Sequence, residues 1–169
     1  MEIRDEWKDL VIARLLELEL ADEEAVMNAS QTLAKDVPSL IMTLHFLETE
    51  RNAEALSSAV HNLTWAYLGV VGDMVDALSC SMILLGLSRT TLSEESNTEE
   101  LLDKLAEIVI NKHEQGAFFA EDLDNSNANT IVGIIASLEG LRYKNDEFLD
   151  VFLQKLAQVP VQFESLSHV

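Results

Sequence analysis

The stretch between Arg51 and Arg89 contains no lysine or arginine and is dense in apolar side chains. Its centre, Leu63 to Ser88, reads LTWAYLGVVGDMVDALSCSMILLGLS, and its two charges are Asp73 and Asp76. The chain as a whole has a formal net charge of −19. A segment this apolar in so acidic a chain predicts the buried centre of an all-helical domain, because the surrounding acidic helices can form the solvated surface.

Apolar residues recur at helical spacing along most of the chain, whereas strand-like alternation is rare. We therefore predict an all-α fold of about eight amphipathic helices, paired as antiparallel hairpins in a bundle or a short α-solenoid. A chain of 169 residues buries about two-thirds of its unfolded surface. This size predicts one domain over 1–169, with a division into 1–87 and 98–169 at the polar loop 88–97 as the alternative.

Helix boundaries are predicted from the local signals of proline, glycine and capping residues. Pro38 is expected to open a helix, since proline is tolerated in the first turn. Gly69 and Gly72 are expected to divide the apolar stretch into two helices, the second of which begins at Asp73. Asn97 is expected to cap a further helix over 98–115.

The spacing of apolar residues also predicts which side chains are buried. In the central segment these are Leu63, Tyr67, Val75, Leu78 and Met82. The first helix is expected to present one apolar stripe, formed by Ile3, Trp7, Leu10, Val11, Leu15 and Leu18. Trp7 and Trp65 are both predicted to belong to the core.

The charge balance narrows the range of partners, because the chain has 30 acidic and 11 basic residues. Binding to nucleic acid depends on cationic groups that displace counterions from phosphates, so we predict no direct nucleic-acid binding. Anionic membrane surfaces are disfavoured for the same reason. The expected partners are other protein subunits that are basic or carry apolar grooves, and a homo-oligomer is one such assembly.

The apolar stretch is long enough to suggest a transmembrane helix, but each of its two carboxylates would cost about 2.5–3.5 kcal/mol at bilayer depth. The first residues are acidic and lack the apolar run of a signal peptide. The single cysteine, Cys80, has no partner for an internal disulfide. We therefore predict no membrane insertion and an intracellular, reducing compartment, either the cytoplasm or an organelle matrix.

Two segments of the chain resemble each other, since Leu84-Leu-Gly-Leu87 and Leu138-Glu-Gly-Leu141 each precede a connection and a further helix. The strings NLTWAYLGV (62–70) and TIVGIIASLEGLRYKNDEFLDVFLQKL (130–156) resemble the helix-turn-helix units of octotricopeptide and FAST-kinase-type repeats. This resemblance covers about residues 55–169 and implies an α-solenoid scaffold. It also implies an alternative function, a helical-repeat factor associated with organellar RNA or ribosome metabolism, although the acidity of this chain departs from that pattern.

A second resemblance involves Ala59-Val-His-Asn-Leu63, which is similar to the signature of histidine-phosphotransfer domains. It implies a further alternative, a signalling domain in which His61 is the phosphoacceptor. The chain departs from the signature because Thr64 and Trp65 stand where those domains have Lys and Gly. Without that resemblance, His61 is interpreted as a boundary residue of a packed helix.

The sequence contains no motif typical of catalysis or of a cofactor. Its histidines have no spacing typical of a metal site; they are His45, His61, His113 and His168. Asp73 and Asp76 are interpreted as helix caps rather than as a catalytic pair. We therefore predict a protein that is not an enzyme, with no catalytic, cofactor-binding or metal-binding residues and no cofactor.

These observations favour a non-catalytic, acidic helical scaffold or accessory subunit that mediates protein–protein interaction within a larger assembly. Two pairs of residues are predicted to bind the partner. Phe118 and Phe119 are core candidates like the two tryptophans, but they stand beside a polar stretch and are the pair among these four that is expected to form an exposed anchor. Phe163 and Leu166 belong to an apolar segment, 159–169, that a partner or a neighbouring copy is expected to cover. The alternative is that Phe163 folds back onto Phe152 and Leu156 of the last helix.

Overall fold

The computed structural model describes residues 4–17, 34–92, 97–119 and 125–158. Within these ranges the chain is helical and contains no β-strand, which confirms the all-α prediction. The described residues form seven α-helices: α1 (Asp5–Glu17), α2 (34–43), α3 (Ala53–Val71), α4 (Ala77–Arg89), α5 (Thr98–Glu114), α6 (Asn125–Gly140) and α7 (Asp146–Gln158). The total of about eight helices and the bundle or solenoid arrangement stay predictions.

The core forms where helices that are distant in the sequence pack together. α4 packs along α6, α1 packs against α3, and α5 contacts both α3 and α7. One cluster of buried apolar side chains draws residues from all seven helices, among them Tyr67, Leu84 and Phe148. The pairs α4–α6 and α3–α5 join helices from opposite sides of the polar loop 88–97, so both sides contribute to the same core.

The apolar stretch forms α3 and α4, joined by a 3₁₀ turn at Gly72–Met74. Tyr67 and Val75 are buried as predicted. α3 continues through Gly69, so the predicted break at that glycine is wrong. The α-helix is interrupted only at Gly72. In the described part of the chain, no helix has both the length and the apolar character needed to cross a membrane.

α4 begins later than predicted because Asp76, and not Asp73, is its N-cap. The Asp76 carboxylate accepts a hydrogen bond from the Ser79 N–H at 2.8 Å, and the Asp76 N–H donates to the Ser79 hydroxyl at 2.9 Å. This reciprocal pair is a capping box with serine in the third helical position. The interpretation of Asp76 as a cap is therefore confirmed.

Leu78 is 57% exposed, so the prediction that it is buried is wrong. The buried side of α4 instead carries Cys80, Ile83, Leu84 and Leu87. Apolar residues lie on more than one side of α4, and its one charged residue, Arg89, is at its end, so the sequence pattern does not mark which side faces the core. Contacts with other helices orient α4, and these contacts are not encoded in its own sequence.

One of these contacts lies at Gly86, where α4 approaches the backbone of α2. A Cβ atom at Gly86 would lie 2.7 Å from the carbonyl carbon of Ile41 and 2.8 Å from its Cγ2. Both distances are shorter than real Cβ contacts, so only glycine fits here without a shift of the neighbouring helix. Gly86 therefore serves the packing of α4 on α2.

Pro38 lies inside the helical residues 34–43, so the prediction that it opens a helix is wrong. Proline has no N–H to donate to the carbonyl of Ala34, four residues earlier. The Tyr67 hydroxyl lies 3.5 Å from that carbonyl oxygen and supplies a donor from α3. Burial raises the pKa of Tyr67, so the hydroxyl keeps its proton at neutral pH.

Capping at the ends of α5 and α7 follows local chemistry. The Asn97 side chain accepts a hydrogen bond from the Glu100 N–H, which confirms the predicted cap of α5. Gly116 follows α5 with a φ of 69°, a conformation that glycine adopts easily. The Asn145 side chain accepts from the Phe148 N–H at 3.0 Å and caps α7.

Candidate interaction surface

α1 exposes an apolar side to solvent. Trp7, Leu10 and Val11 are 60%, 61% and 43% exposed. Their spacing of three and four residues places them on one side of the helix, together with Arg14. Ile12 points the opposite way and is the one fully buried residue of α1. We call Trp7, Leu10, Val11 and Arg14 the α1 outer face.

The exposure of the outer face contradicts the prediction that its apolar residues are buried. α1 packs into the core against α3 through Ile12, on the side opposite the outer face, and through Leu15, which follows Val11 by one turn at the edge of that face. The predicted stripe omitted Ile12 and included Trp7, Leu10 and Val11, because these three follow helical spacing. Ile3 and Leu18, the ends of that predicted stripe, lie outside the described residues.

Other exposed large apolar side chains are spread over the described helices and turns; they are Leu16, Leu40, Phe46, Val70, Met74, Leu78, Val132 and Leu153. In the described part of the chain, three such side chains share one side of one helix only in α1. Isolated exposed apolar residues are normal on protein surfaces, whereas a contiguous set is informative. The outer face is therefore the strongest candidate for a contact surface.

A polar network around Asp9 holds α1 on the start of α3. The Arg51 guanidinium and the Asn52 amide both donate hydrogen bonds to the Asp9 carboxylate, and the Asn52 amide also donates to the Leu47 carbonyl at 3.0 Å. The hydrogen bonds from Arg51 and then Asn52 lower the pKa of Asp9 below its ordinary value. Asn52 therefore ties α1 to α3, and its side chain makes no capping hydrogen bond to α3 itself.

A groove of about 220 Å³ lies beside this network, between α1 and α3. Its lining is mostly apolar, with a polar end; the residues are Asp9, Ile12, Ala13, Leu16, Arg51, Asn52 and Ala55. The groove opens on a different side of α1 from the outer face, since Ala13 and Leu16 lie more than a quarter turn away from Trp7 and Val11. The groove is therefore part of the contact between α1 and α3 and does not extend the outer face.

Phe118 and Phe119 do not form the exposed anchor that the sequence suggests. Phe118 is 2% exposed, so the prediction that it is exposed is wrong, whereas its interpretation as a core residue is confirmed; its binding to a partner stays a prediction. Its ring packs edge-to-face on Phe119 at 4.8 Å and on Phe152 of α7 at 5.9 Å between ring centroids. The turn at Gly116 reverses the chain after α5 and brings the Phe118 ring onto α7.

Phe119 is half-buried and lines a shallow pocket of about 260 Å³. The Lys155 ammonium lies 5.1 Å from the centre of the Phe119 ring, and the His113 ring meets it edge-on at 5.9 Å. Both basic side chains therefore already cover part of this ring. Partner binding by Phe119 stays a prediction, and Phe163 and Leu166 lie outside the described residues.

His61 is half-buried on α3, where its Nε2 atom lies 3.2 Å from the Asn97 carbonyl oxygen. Its ring also meets Trp65 edge-on, with 6.2 Å between the ring centroids. Trp65 itself packs against the core, as predicted. One ring nitrogen of His61 is therefore engaged with the start of α5, and its role as a phosphoacceptor stays a prediction.

In the part of the chain that the structure describes, no group of three His, Cys, Asp or Glu side chains is placed to hold a metal ion. The Asp76 carboxylate is engaged in capping α4. The Lys112 ammonium donates to the backbone carbonyls of Asp73, at 2.6 Å, and of Val75. Cys80 is fully buried, and burial raises the pKa of its thiol, which disfavours the reactive thiolate.

Comparison of the chain with protein-family models, with curated proteins and with solved structures finds no match. Among the surfaces described above, the α1 outer face alone combines an exposed aromatic ring, two exposed aliphatic side chains and regular helical spacing.

Proposed function

We propose that this chain is a non-catalytic, acidic helical scaffold or accessory subunit that binds another protein through the α1 outer face. The observation that carries the proposal is the exposure of Trp7, Leu10 and Val11 on one side of a single helix. Contiguous exposed apolar surface with a polar rim is typical of protein–protein contacts. Helix faces with anchors at this spacing are a recurrent mode of docking into a partner's groove.

The energetic gain from covering this face is substantial for its size. Full burial of a Leu or Val side chain contributes about 1.5–3 kcal/mol. Leu10 and Val11 have roughly half of their surface in water, so each can contribute about 1 kcal/mol when a partner covers it. Trp7 is expected to contribute more, because tryptophan is among the residue types most enriched at the positions that dominate the binding energy of protein–protein interfaces.

The hydrogen bonds that hold α1 on α3 also favour binding of a partner. Asp9, Arg51 and Asn52 fix the helix on α3 from its inner side, so the outer face is already ordered before a partner arrives. A preordered surface loses less conformational entropy on binding. The net charge of −19 adds a long-range attraction for basic subunits elsewhere on the surface.

The helical-hairpin architecture forms the second part of the proposal. α6 and α7 contact each other and are joined by the short connection 141–145, as in an αα-hairpin. Such hairpins, when stacked, build extended scaffolds that present binding surfaces. The scaffold role is thus compatible with the resemblance to helical-hairpin repeats.

The proposal is tested by copurification with matched surface variants. The tagged chain is isolated in high salt from the cells that produce it naturally. Three forms are compared: wild type, Leu10→Ser and Val132→Ser. The proteins bound to each form, including untagged copies of the chain, are then identified. Val132 is 53% exposed on α6 and serves as the control for an equally exposed apolar residue. We expect Leu10→Ser to lose bound protein that wild type and Val132→Ser retain.

Circular dichroism of each variant establishes that its helices are intact, because a change confined to an exposed side chain should leave the fold unaltered. Equal retention of all bound proteins by Leu10→Ser and Val132→Ser would contradict the proposed function.

A further inference from the structure

We infer that the pocket between the ends of α5 and α7 binds a small organic carboxylate. The pocket has a volume of about 260 Å³, and Phe119 and Lys155 are among the residues that line it. None of its lining residues belongs to α1. The inference therefore concerns a second site and does not depend on the proposed function.

Lys155 differs from the other half-buried lysines of the described chain. Lys8 and Lys104 each pair with a carboxylate of the same helix, at 3.3 Å and 3.0 Å. Lys112 donates to two backbone carbonyl oxygens. Within the described residues the ammonium of Lys155 instead meets the ring of Phe119, 5.1 Å from its centre. A half-buried cation without an oxygen partner is unfavourable, so an anion that enters the pocket would stabilise it.

The lining of the pocket is basic in a chain that is mostly acidic. Two titratable side chains line it, Lys155 and His113, and both are basic, although the chain has 30 acidic and 11 basic residues. The side-chain amides of Gln154 and Gln158 also line the pocket and can donate hydrogen bonds. A carboxylate accepts several such bonds, and those from a charged donor are the stronger ones.

Helix dipoles offer a second explanation for the basic residues, because His113 and Lys155 lie in the last turns of α5 and α7. At the end of α5, however, the carbonyl oxygens of Lys112 and His113 already accept backbone hydrogen bonds, at 2.8 Å and 2.9 Å. The Lys155 ammonium lies over a ring and not at a carbonyl of α7. Both basic groups therefore keep hydrogen-bonding capacity for an anion from outside the chain.

The same dipoles restrict the class of anion. The carboxyl ends of α5 and α7 carry partial negative charges, which oppose a dianion such as phosphate more than a monoanion. The aromatic lining favours a ligand with an apolar body that can pack on Phe119. Drug-sized ligands occupy pockets of about 300–1,000 Å³, so a smaller ligand fits here. Benzoate combines a single negative charge, an apolar ring and small size, and it is the probe that we choose.

Titration of the full chain with sodium benzoate at constant ionic strength, followed by NMR, tests the inference. The side-chain amide signals of Gln154 and Gln158 and the ring signals of His113 should shift together and saturate, with a Kd of about 1 mM for so small a ligand. Benzamide has nearly the same shape and no charge, so it should bind at least about tenfold more weakly.

Variants of the full chain assign the binding to the pocket. Lys155→Met removes the charge, keeps an apolar side chain and should weaken benzoate binding by about tenfold. Lys155→Arg keeps the charge and should retain most of the binding. Lys144→Met removes an exposed lysine from the connection between α6 and α7, and this control should bind benzoate as wild type does. Leu10→Ser should also bind as wild type does.

Three results would each overturn the inference. They are the absence of saturable shifts for these signals in the millimolar range, benzamide binding as tight as that of benzoate, and a Lys155→Met variant that binds benzoate as tightly as wild type. Any of them would leave the proposed function intact, because the copurification of Leu10→Ser tests that function separately.

Discussion

Two helical glycines should respond in opposite directions to the same substitution. Gly86 in α4 faces α2, and a Cβ atom there would lie 2.7 Å from the carbonyl carbon of Ile41. Gly69 in α3 is exposed, and a Cβ atom there would meet no neighbouring atom within 4 Å. We expect Gly69→Ala to stabilise the fold and Gly86→Ala to destabilise it.

The magnitudes follow from helix propensity and packing. Alanine in a helix interior is favoured over glycine, so Gly69→Ala should raise the free energy of unfolding by about 0.5–1 kcal/mol. At Gly86 the same gain is opposed by overpacking, which costs about 1–3 kcal/mol and sometimes more. The obstacle is the backbone of Ile41, which no side-chain rotation can relieve, so we expect a net loss of about 1–2 kcal/mol.

Urea unfolding followed by circular dichroism measures both changes, and thermal unfolding provides a second reading. For a chain of this size, a loss of 1 kcal/mol lowers the Tm by about 2–4 °C. Gly69→Ala is the matched control for the propensity effect. If Gly86→Ala stabilised the protein as much as Gly69→Ala, the close packing of α4 on α2 would be refuted.

Three further predictions concern the core and the attachment of α1. Leu78→Asp should give a folded, soluble protein, whereas Leu84→Asp, at a fully buried position, should not. Circular dichroism of the expressed proteins measures their folding, and a folded Leu84→Asp variant would contradict the burial of Leu84. The buried Cys80 thiol should react with an aromatic disulfide reagent only in denaturant, and rapid labelling of the native protein would disprove its burial. Asp9→Asn should lower the free energy of unfolding at neutral pH. The hydrogen bond from Arg51 lowers the pKa of Asp9 below its ordinary 3.8, so the charged carboxylate stabilises the folded state. That difference from wild type should shrink as the pH falls below 3.8 and Asp9 becomes protonated, and a difference that stays constant across this range in unfolding titrations would be incompatible with the Asp9 network.

The features that the sequence predicted correctly depend on local chemistry. Asn97 caps α5 because its side chain can reach the N–H of Glu100, and that reach depends only on the spacing of two residues. The all-helical character follows from a hydrophobic period that is repeated along the chain. Asp76 is predicted to be a capping residue on the same local grounds, although the predicted start of the helix, Asp73, is four residues too early.

The side that each helix buries depends on distant contacts, and here the sequence predictions were wrong. α4 is apolar almost all round, so the exposure of Leu78 is decided by where α2 and α6 lie against it. Phe118 stands beside polar residues, yet the turn at Gly116 directs its ring onto α7. In both cases local polarity was a poor guide to burial.

The α1 outer face was predicted to be core because Trp7, Leu10 and Val11 are apolar and helically spaced. A sequence signal for its exposure exists: Ile12 and Leu16, four residues apart, lie on the other side of the same helix. A helix with apolar residues on two sides cannot bury both against one neighbour. Apolar residues on two sides of one helix therefore indicate a second contact, although they do not identify the side that faces the core.

The central claim is that the α1 outer face is a protein contact. A photo-crosslinking amino acid placed at Leu10 of the full chain, and at Val132 in the control, tests this claim most directly in intact cells. We predict that irradiation gives a discrete crosslinked species from Leu10 and none from Val132. The same adducts from both positions, or none from either, would contradict the claim.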